Sequence, residues 1–166
     1  KRLYGWQPDT LWGTQPVFQA EPASVGWHSY ALHTDHLGTP QRATDSEGKL
    51  AWSMRAEAFG ETVPLPGSTI GVALRFPGQY YDAETGMHYN WHREYNPTLG
   101  RYVQPDPKGL IAGVNVHVYG SANPMLRVDP MGLDDLHACE YYRAVADHSG
   151  CKYHNIAYKI CRRESL

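Results

Sequence analysis

Short runs of apolar and polar residues recur through the first 133 positions, and turn signals separate them about every ten residues. Residues 87–91 alternate between apolar and polar. The runs are rich in Tyr, Trp, Val and His, and they cover residues 27–32, 50–55, 87–92 and 114–119. Alternation with a period of two is typical of a strand that buries one face. The pattern therefore predicts an all-β meander or an array of β-hairpin repeats.

The pattern changes after residue 133. Apolar residues from Leu136 to His148 recur with an approximate three- and four-residue spacing, which predicts a helix. Asp134 and Asp135 are suited to cap its start. A second helix is predicted over residues 153–163, so the two would form a helical hairpin.

Glycine and proline follow the same division. All 12 Pro and 15 of the 16 Gly lie before residue 134, whereas all three Cys lie after it. A change in composition this sharp predicts a boundary between two kinds of structure near residue 133.

Composition and charge exclude several classes of protein. The formal net charge is −2, so no overall positive charge draws the chain to nucleic acid or to an anionic membrane. Apolar residues make up 42% of the chain, which is too many for a disordered protein. No stretch approaches the roughly 18 consecutive apolar residues of a membrane-spanning helix.

An ordered series of motifs resembles the core associated with Rhs repeats, which is the C-terminal part of Rhs and YD-repeat proteins. The motifs are FPGQYYD at 76–82, AETGMHY at 83–89, REYNPTLGRY at 93–102, PDPKGL at 105–110, NVHVY at 115–119 and VDPMGL at 128–133. HTDHLGTP at 33–40 and ATDSEG at 43–48 are similar to Rhs sequence as well. The resemblance covers about residues 28–133.

A YD unit also has a physical interpretation of its own. Tyr81 provides a large flat anchor with a polar tip. Asp82 is suited to accept hydrogen bonds from turn amides, and Gly86 supplies a positive φ. Each unit is thus a hairpin that must stack on its neighbours to bury a face.

The resemblance implies a domain organisation. In the family, YD units spiral into a hollow β-shell that encloses a C-terminal toxin. We expect residues 1–27 to be an incomplete upstream repeat, residues 28–133 to be the closing end of the shell, and residues 134–166 to be the variable segment. The chain begins with Lys1 rather than Met, and we expect it to be a fragment or a processed product.

A family motif for self-cleavage, P-x-x-x-x-D-P-x-G-L, matches residues 124–133. It contains Pro124, Asp129, Pro130 and Gly132, and it implies a cut between Leu133 and Asp134. The resemblance implies that Asp106 and Asp129 form a pair like that of an aspartic protease, in which one carboxylate activates water while the other donates a proton.

Two points about this pair stay open. Asp-Pro is also a common turn sequence, in which the Asp caps the turn and the Pro fixes φ. Some relatives carry Arg directly before the first Asp, but Pro105 stands there in this chain. Arg101 is the cation that we consider for keeping one carboxylate charged. Pro130 and Gly132 are suited to a tight bend that exposes the bond to be cut.

The histidines do not predict a metal site. His33 and His36 lie in a strand and turn with poor geometry for ligands, and His88 and His92 are predicted to share one face of a strand. We expect these residues to be structural, and we expect no cofactor.

The last 33 residues carry the family's variable toxin position, whose chemistry differs between proteins. Five basic and five acidic residues give this segment no polybasic character. A disulfide between Cys139 and Cys161 fits a helical hairpin outside a reducing compartment, but three thiols leave the connectivity open. Cys151 and His154 are a further, weaker pair for nucleophile and base.

The sequence thus favours the C-terminal part of a bacterial Rhs polymorphic toxin that cuts itself and releases an effector in interbacterial competition. The expected partners are an upstream shell, an immunity protein, and the spike or adaptor of a type VI or other secretion system. The protein would be exported. The alternative is a non-catalytic structural or cell-surface YD module whose Asp-Pro sites are only turns.

Overall fold

A computed structural model describes residues 1–8, 14–133 and 136–137, and the regular secondary structure in this part of the chain is mainly antiparallel β-strand. The first sheet has six strands whose order in space follows the sequence. They are β1 (Leu3–Trp6), β2 (Pro16–Pro22), β3 (Trp27–Thr34), β4 (Pro40–Thr44), β5 (Leu50–Ala56) and β6 (Thr62–Pro64). The predicted meander is therefore confirmed.

A second sheet has four strands and carries most of the motifs. Its strands are β7 (Tyr80–Tyr81), β8 (His88–Asn90), β9 (Arg93–Asn96) and β10 (Arg101–Tyr102), in the order β10-β9-β8-β7. A two-stranded ribbon follows, formed by β11 (Arg127–Val128) and β12 (Leu136–His137). Two short 3₁₀ helices, Gly109–Ala112 and Gly120–Ala122, lie between the second sheet and the ribbon.

The turns use the chemistry that the YD unit predicts. Asp82 accepts the amide hydrogen of Glu84 and the hydroxyl hydrogen of Thr85, and Gly86 has φ +73°. Asp45 accepts two turn amides in the same way, and Gly48 in that turn has φ +79°. An aspartate that caps the turn and a glycine with positive φ thus recur in two hairpins, one in each large sheet.

Two hydrophobic clusters stabilise the sheets. The six-stranded sheet buries one cluster, which consists of Leu32, Ala43, Trp52, Met54, Val72 and Leu74. The second cluster is aromatic: Tyr95, Tyr102 and Tyr119 are fully buried and pack with Phe76. This cluster lies directly beside the candidate site described below.

The structure corrects the prediction of a strand over residues 114–119. These residues contribute only an isolated bridge between Val118 and Arg101. The carbonyl oxygen of Val116 accepts the Asp106 amide at 2.8 Å and Arg93 Nη1 at 3.3 Å. These backbone groups therefore bind the candidate site instead of a strand ladder.

The prediction that His88 and His92 share one strand face is also wrong. Strand β8 ends at Asn90, and Trp91 and His92 form a two-residue turn into β9. Trp91 occupies the left-handed region with φ +57°. Two-residue turns usually contain Gly or Asn-Gly. The sequence has neither at this position, so it gave no signal for the turn.

The helix predicted from Leu136 does not begin there. Leu136 and His137 pair with Val128 and Arg127 as strand β12, so ladder hydrogen bonds replace the start of the helix. The rest of that helix, the second helix, and the cysteines Cys139, Cys151 and Cys161 lie outside the described residues. The domain boundaries stay predictions, although β2 pairs with β3 across the predicted boundary at residue 27.

Candidate functional site

Arg93 joins the two aspartates that the sequence singles out. Its Nη2 atom lies 2.8 Å from Asp129 Oδ2 and 3.0 Å from Asp106 Oδ2. All three side chains are at least 95% buried. Asp106 and Asp129 are therefore brought together through one guanidinium nitrogen in a site with little access to solvent.

Each of the three residues is held by a different element. Arg93 is the first residue of β9 and pairs with Asn90 at the end of β8. The two-residue turn between them therefore fixes the position of the Arg93 backbone. Asp106 follows β10 and opens a turn, in which its backbone carbonyl accepts the Gly109 amide at 2.9 Å. Asp129 follows β11 directly. The site is thus assembled from a sheet, a loop and a ribbon.

Both aspartates also act as turn caps. Asp106 Oδ1 accepts the Lys108 amide at 2.8 Å, while its Oδ2 faces Arg93. Asp129 Oδ1 accepts the Leu133 amide at 2.9 Å, while its Oδ2 faces Arg93. The turn interpretation and the paired-carboxylate interpretation are therefore compatible, because each role uses a different oxygen atom.

A tyrosine and an asparagine complete the cluster. The Tyr102 hydroxyl donates to Asp129 Oδ2 at 2.9 Å. Asn90 Nδ2 donates to the Tyr102 oxygen at 2.6 Å and to the Asp129 backbone carbonyl at 2.9 Å. Asp129 Oδ2 therefore has two donors, from Arg93 and Tyr102.

The Tyr102 ring supports the arginine as well. The guanidinium carbon of Arg93 lies 3.6 Å from the centre of this ring, so the cation stacks on the aromatic face. Burial raises the pKa of the Tyr102 phenol far above its usual value, and the negative charge of Asp129 raises it further. The hydroxyl is therefore a neutral donor throughout the ordinary pH range.

The cluster also holds the peptide unit between Gly132 and Leu133. Arg93 Nε donates to the Gly132 carbonyl at 2.6 Å, and Asp129 Oδ1 accepts the Leu133 amide on the other side of that peptide. This peptide directly precedes the predicted cleavage point between Leu133 and Asp134, and Asp134 lies outside the described residues.

Glycine is required at two points near the bend. Gly132 has φ +68°, and a Cβ there would lie 2.5 Å from the carbonyl oxygen of Asn90. Gly78 has φ +86°, and a Cβ there would overlap the backbone of Pro130. The backbone of the D-P-x-G-L segment thus packs against two other motifs with no room for an added methyl group.

The remaining candidate residues lie in different places. Arg101 is exposed on β10, and the arginine that contacts both aspartates is Arg93. Pro124 and Pro130 are both buried. His88 is buried with Nδ1 2.8 Å from Gln79 Oε1, and burial lowers its pKa to about 3, so it is neutral.

Sequence reasoning missed Arg93, Tyr102 and Asn90. One signal was present for Arg93: it lies two positions before Tyr95 on an alternating strand, and both side chains are buried. A charged residue in phase with a buried aromatic residue needs a buried partner. The sequence alone did not identify which carboxylate is the partner of Arg93.

Comparisons with known proteins agree with the motifs. A family model described as "RHS protein" matches residues 30–65. The chain is 40% identical over 121 residues to the double-stranded DNA deaminase toxin A of Burkholderia cenocepacia, covering 70% of this chain and 8% of that protein. It is 43% identical over 104 residues to the toxin protein Tse5 of Pseudomonas aeruginosa, covering 61% of this chain and 8% of that protein.

Solved structures give the same fold. The crystal structure of TcdB2-TccC3 matches 70% of this chain and 6% of that chain, with a TM-score of 0.61 and 26% identity. The chain thus spans only a small part of the relatives and structures that it matches. No helix among the described residues is long and apolar enough to cross a membrane.

The motif series, the antiparallel hairpin sheets and these similarities agree, and the chain belongs to the Rhs protein family.

Proposed function

We propose that this chain is the closing end of an Rhs toxin-type shell and that it cuts its own backbone between Leu133 and Asp134. The observation that carries the proposal is the contact of Arg93 with both Asp106 and Asp129, at 3.0 and 2.8 Å, beside the held Gly132–Leu133 peptide. A pair of buried carboxylates next to a fixed backbone segment is the arrangement that aspartyl hydrolysis needs.

The charge balance supports shared protonation. Arg93 brings one positive charge to two buried carboxylates, and close carboxylates disfavour a state in which both are ionised. Asp129 accepts hydrogen bonds from Arg93, Tyr102 and the Leu133 amide, which all stabilise its ionised form. We therefore assign the role of base to Asp129 and the role of acid to Asp106.

The proposed reaction is a hydrolysis in two steps. Asp129 takes a proton from a water molecule, and the water oxygen attacks the carbonyl carbon of Leu133. Asp106 then gives its proton to the amide nitrogen of Asp134, and the C–N bond breaks. The products are a new carboxyl group at Leu133 and a new amine at Asp134, and the proton that Asp129 received passes to Asp106, which restores the pair.

Arg93 has two tasks in this scheme. Its Nη2 atom keeps the aspartates at a fixed separation, and its Nε atom holds the Gly132 carbonyl so that the next peptide is presented to the pair. A guanidinium is suited to both tasks, because its donors are rigidly spaced. The sequence had suggested Arg101 as the cation that keeps one carboxylate charged, whereas the cation in contact with both carboxylates is Arg93.

The biological context follows from the relatives. Two of them are named as toxins, which supports a role in which the shell encloses residues 134–166 and whatever follows them, and self-cleavage frees that effector. Interbacterial competition, export by a type VI or other secretion system, and an immunity protein belong to this proposal. The chemistry of the effector is not assigned.

Substitution of the aspartates tests the proposal. The chain is expressed with its upstream shell as wild type, Asp106→Asn, Asp129→Asn and, as a matched control, Asp45→Asn. Asp45 caps a turn in the same manner but is only half-buried and lies away from the site. We expect wild type and Asp45→Asn to yield two fragments in denaturing gels and the two site variants to stay whole. Cleavage of Asp129→Asn at the wild-type rate would refute the proposed mechanism.

A second candidate function is a non-catalytic structural or surface-binding YD module. The observation that favours it is that Asp106 and Asp129 each cap a turn. This candidate predicts that the wild-type chain stays whole, and that both substitutions lower stability without any effect on chain length.

A further inference from the structure

We infer that Tyr102, with its hydroxyl oriented by Asn90, is a positioning residue that keeps Asp129 ionised and aligned for self-cleavage. The inference rests on the proposed function, since it concerns how the aspartate pair is tuned. It adds two residues to which the sequence analysis assigned no role in the site.

The hydroxyl of Tyr102 is directed at the oxygen that also binds the arginine. It lies 2.9 Å from Asp129 Oδ2, and the tyrosine is fully buried. A hydrogen bond to a carboxylate is stronger than one between neutral groups, and burial strengthens it further. Because this donor binds only the carboxylate of Asp129, it makes the two aspartates chemically different.

Asn90 fixes the direction of that hydroxyl. Its Nδ2 atom donates to the Tyr102 oxygen at 2.6 Å, so the phenolic hydrogen is left to point at Asp129. The same nitrogen donates to the backbone carbonyl of Asp129 at 2.9 Å. Asn90 is fully buried at the end of β8, and it thus ties the tyrosine and the aspartate backbone to the sheet.

The ring and the hydroxyl of Tyr102 have separable roles. The ring stacks on Arg93 at 3.6 Å and packs with Tyr95 and Tyr119. A Tyr102→Phe substitution keeps these ring contacts and removes the donor to Asp129, together with the oxygen that accepts from Asn90. The role of the hydroxyl is therefore testable without dismantling the core.

Other charged or titratable groups surround Asp129. Arg93 reaches it from β9 and links it to Asp106 from the loop after β10. His92 lies in the β8–β9 turn, with Nδ1 3.0 Å from the Met131 carbonyl. These groups are the same in wild type and in Tyr102→Phe, so a difference between the two reports the hydroxyl.

The first test measures self-cleavage in the chain expressed with its upstream shell. We expect Tyr102→Phe to slow cleavage roughly ten- to hundredfold, the range for loss of a hydrogen bond to a charged group. The acid limb of the pH–rate profile should move to higher pH, because Asp129 ionises less readily without its donor. Asn90→Ala should slow cleavage in the same direction.

Tyr95→Phe is the matched control. Tyr95 belongs to the same buried cluster, but its hydroxyl donates to the Phe59 carbonyl at 2.7 Å, away from the aspartates. We expect this variant to keep the wild-type rate and pH profile. Equal slowing in both tyrosine variants, with equal loss of stability, would show a merely structural role and overturn the inference.

A second measurement separates failure of the inference from failure of the proposed function. If Asp129→Asn stays whole while Tyr102→Phe cleaves like wild type, the inference is wrong and the proposed function stands. If both cleave like wild type, the proposed function is wrong.

Carbon-13 NMR titration of the Asp129 carboxyl tests the role of the tyrosine without relying on cleavage. In an Asp106→Asn background, Tyr102→Phe should raise the titration midpoint of Asp129. An unchanged midpoint refutes the inference.

Discussion

Gly78 packs against the carbonyl oxygen of Pro130 so closely that a Cβ at Gly78 would overlap it. Gly78 belongs to the F-P-G-Q-Y-Y-D motif, and Pro130 belongs to the D-P-x-G-L segment, so two motifs far apart in the sequence interlock. The D-P-x-G-L backbone therefore packs against the second sheet. Arg93 and Asn90 of that sheet donate hydrogen bonds to the carbonyl groups of this backbone. The Pro77-Gly78 turn is therefore a support for the candidate site.

Gly78→Ala should destabilise the protein and displace the D-P-x-G-L segment. The variant adds a methyl group that overlaps Pro130, and it also places a non-glycine residue at φ +86°. We expect a loss of about 2–4 kcal/mol in the free energy of unfolding, since steric overlap adds to the backbone strain. Urea denaturation measures this loss.

Gly48→Ala is the control for that experiment. Gly48 has a similar φ of +79°, but nothing lies within 4 Å of the added Cβ. It should show only the backbone cost, about 1–2 kcal/mol. Equal losses in the two variants would mean that the contact with Pro130 has no energetic weight.

Arg93→Met should be among the most destabilising single changes in the described part of the chain. It leaves two buried carboxylates without their shared cation, which costs about 3–5 kcal/mol at neutral pH. The deficit should shrink in acid, because protonation removes the charges that need a partner. Unfolding curves at pH 7 and pH 4 measure both effects.

Arg101→Met serves as the comparison, because Arg101 is exposed on the neighbouring strand. A change within about 0.5 kcal/mol is expected for such a surface site. If Arg101→Met lost as much stability as Arg93→Met, the assignment of the site cation to Arg93 would be wrong.

His88 predicts a specific acid sensitivity. Burial lowers its pKa to about 3 in the folded protein, against about 6.5 for an unperturbed histidine. Between these values the unfolded chain binds the extra proton and the folded chain does not. Stability contributed by neutral His88 is therefore complete above about pH 6.5 and decreases as the pH falls toward 3.

A His88→Gln variant tests this slope. Glutamine keeps an amide donor beside Gln79 but does not titrate. From pH 7 to pH 4 the wild-type protein should lose more unfolding free energy than the variant, by an amount on the order of 1–3 kcal/mol. Parallel slopes for His88→Gln and wild type would contradict the prediction.

Growth assays test whether residues 134–166 act as a toxin. Expression of this segment alone should arrest growth if it contains an active effector, and a neighbouring immunity protein should relieve the arrest. Normal growth in every compartment would count against toxin activity in this segment.

The hairpin meander was predictable because its determinants are local. Asp45 with Gly48, and Asp82 with Gly86, specify turns within a few residues, and alternation specifies the strands between them. The Trp91–His92 turn was not predictable, because its left-handed residue is a tryptophan. The strand predicted at 114–119 was wrong for another reason. The backbone carbonyl groups of this segment accept hydrogen bonds from Asp106, Arg93 and Tyr102 instead of forming a strand ladder.

The site was predictable only in part. The family motif drew attention to Asp106 and Asp129, and their shared contact with Arg93 brings them together. The cation and the tyrosine were missed, because their roles depend on how β9 and β10 face the ribbon. Such non-local packing leaves little trace in a single sequence. The pairing of β12 was missed because Leu136 and His137 fit the helical spacing of the sequence. Their pairing with β11 depends on non-local contacts that this spacing does not show.

The most direct test of the central claim is the mass of the fragments formed in oxygen-18-labelled water by the chain expressed with its upstream shell. We expect two fragments, one that ends at Leu133 with one heavy oxygen in its new carboxylate and one that begins at Asp134. Asp106→Asn and Asp129→Asn should each give a single uncut mass. An uncut wild-type chain, a cut at another bond, or a Leu133 terminus without the label would contradict hydrolysis by the aspartate pair.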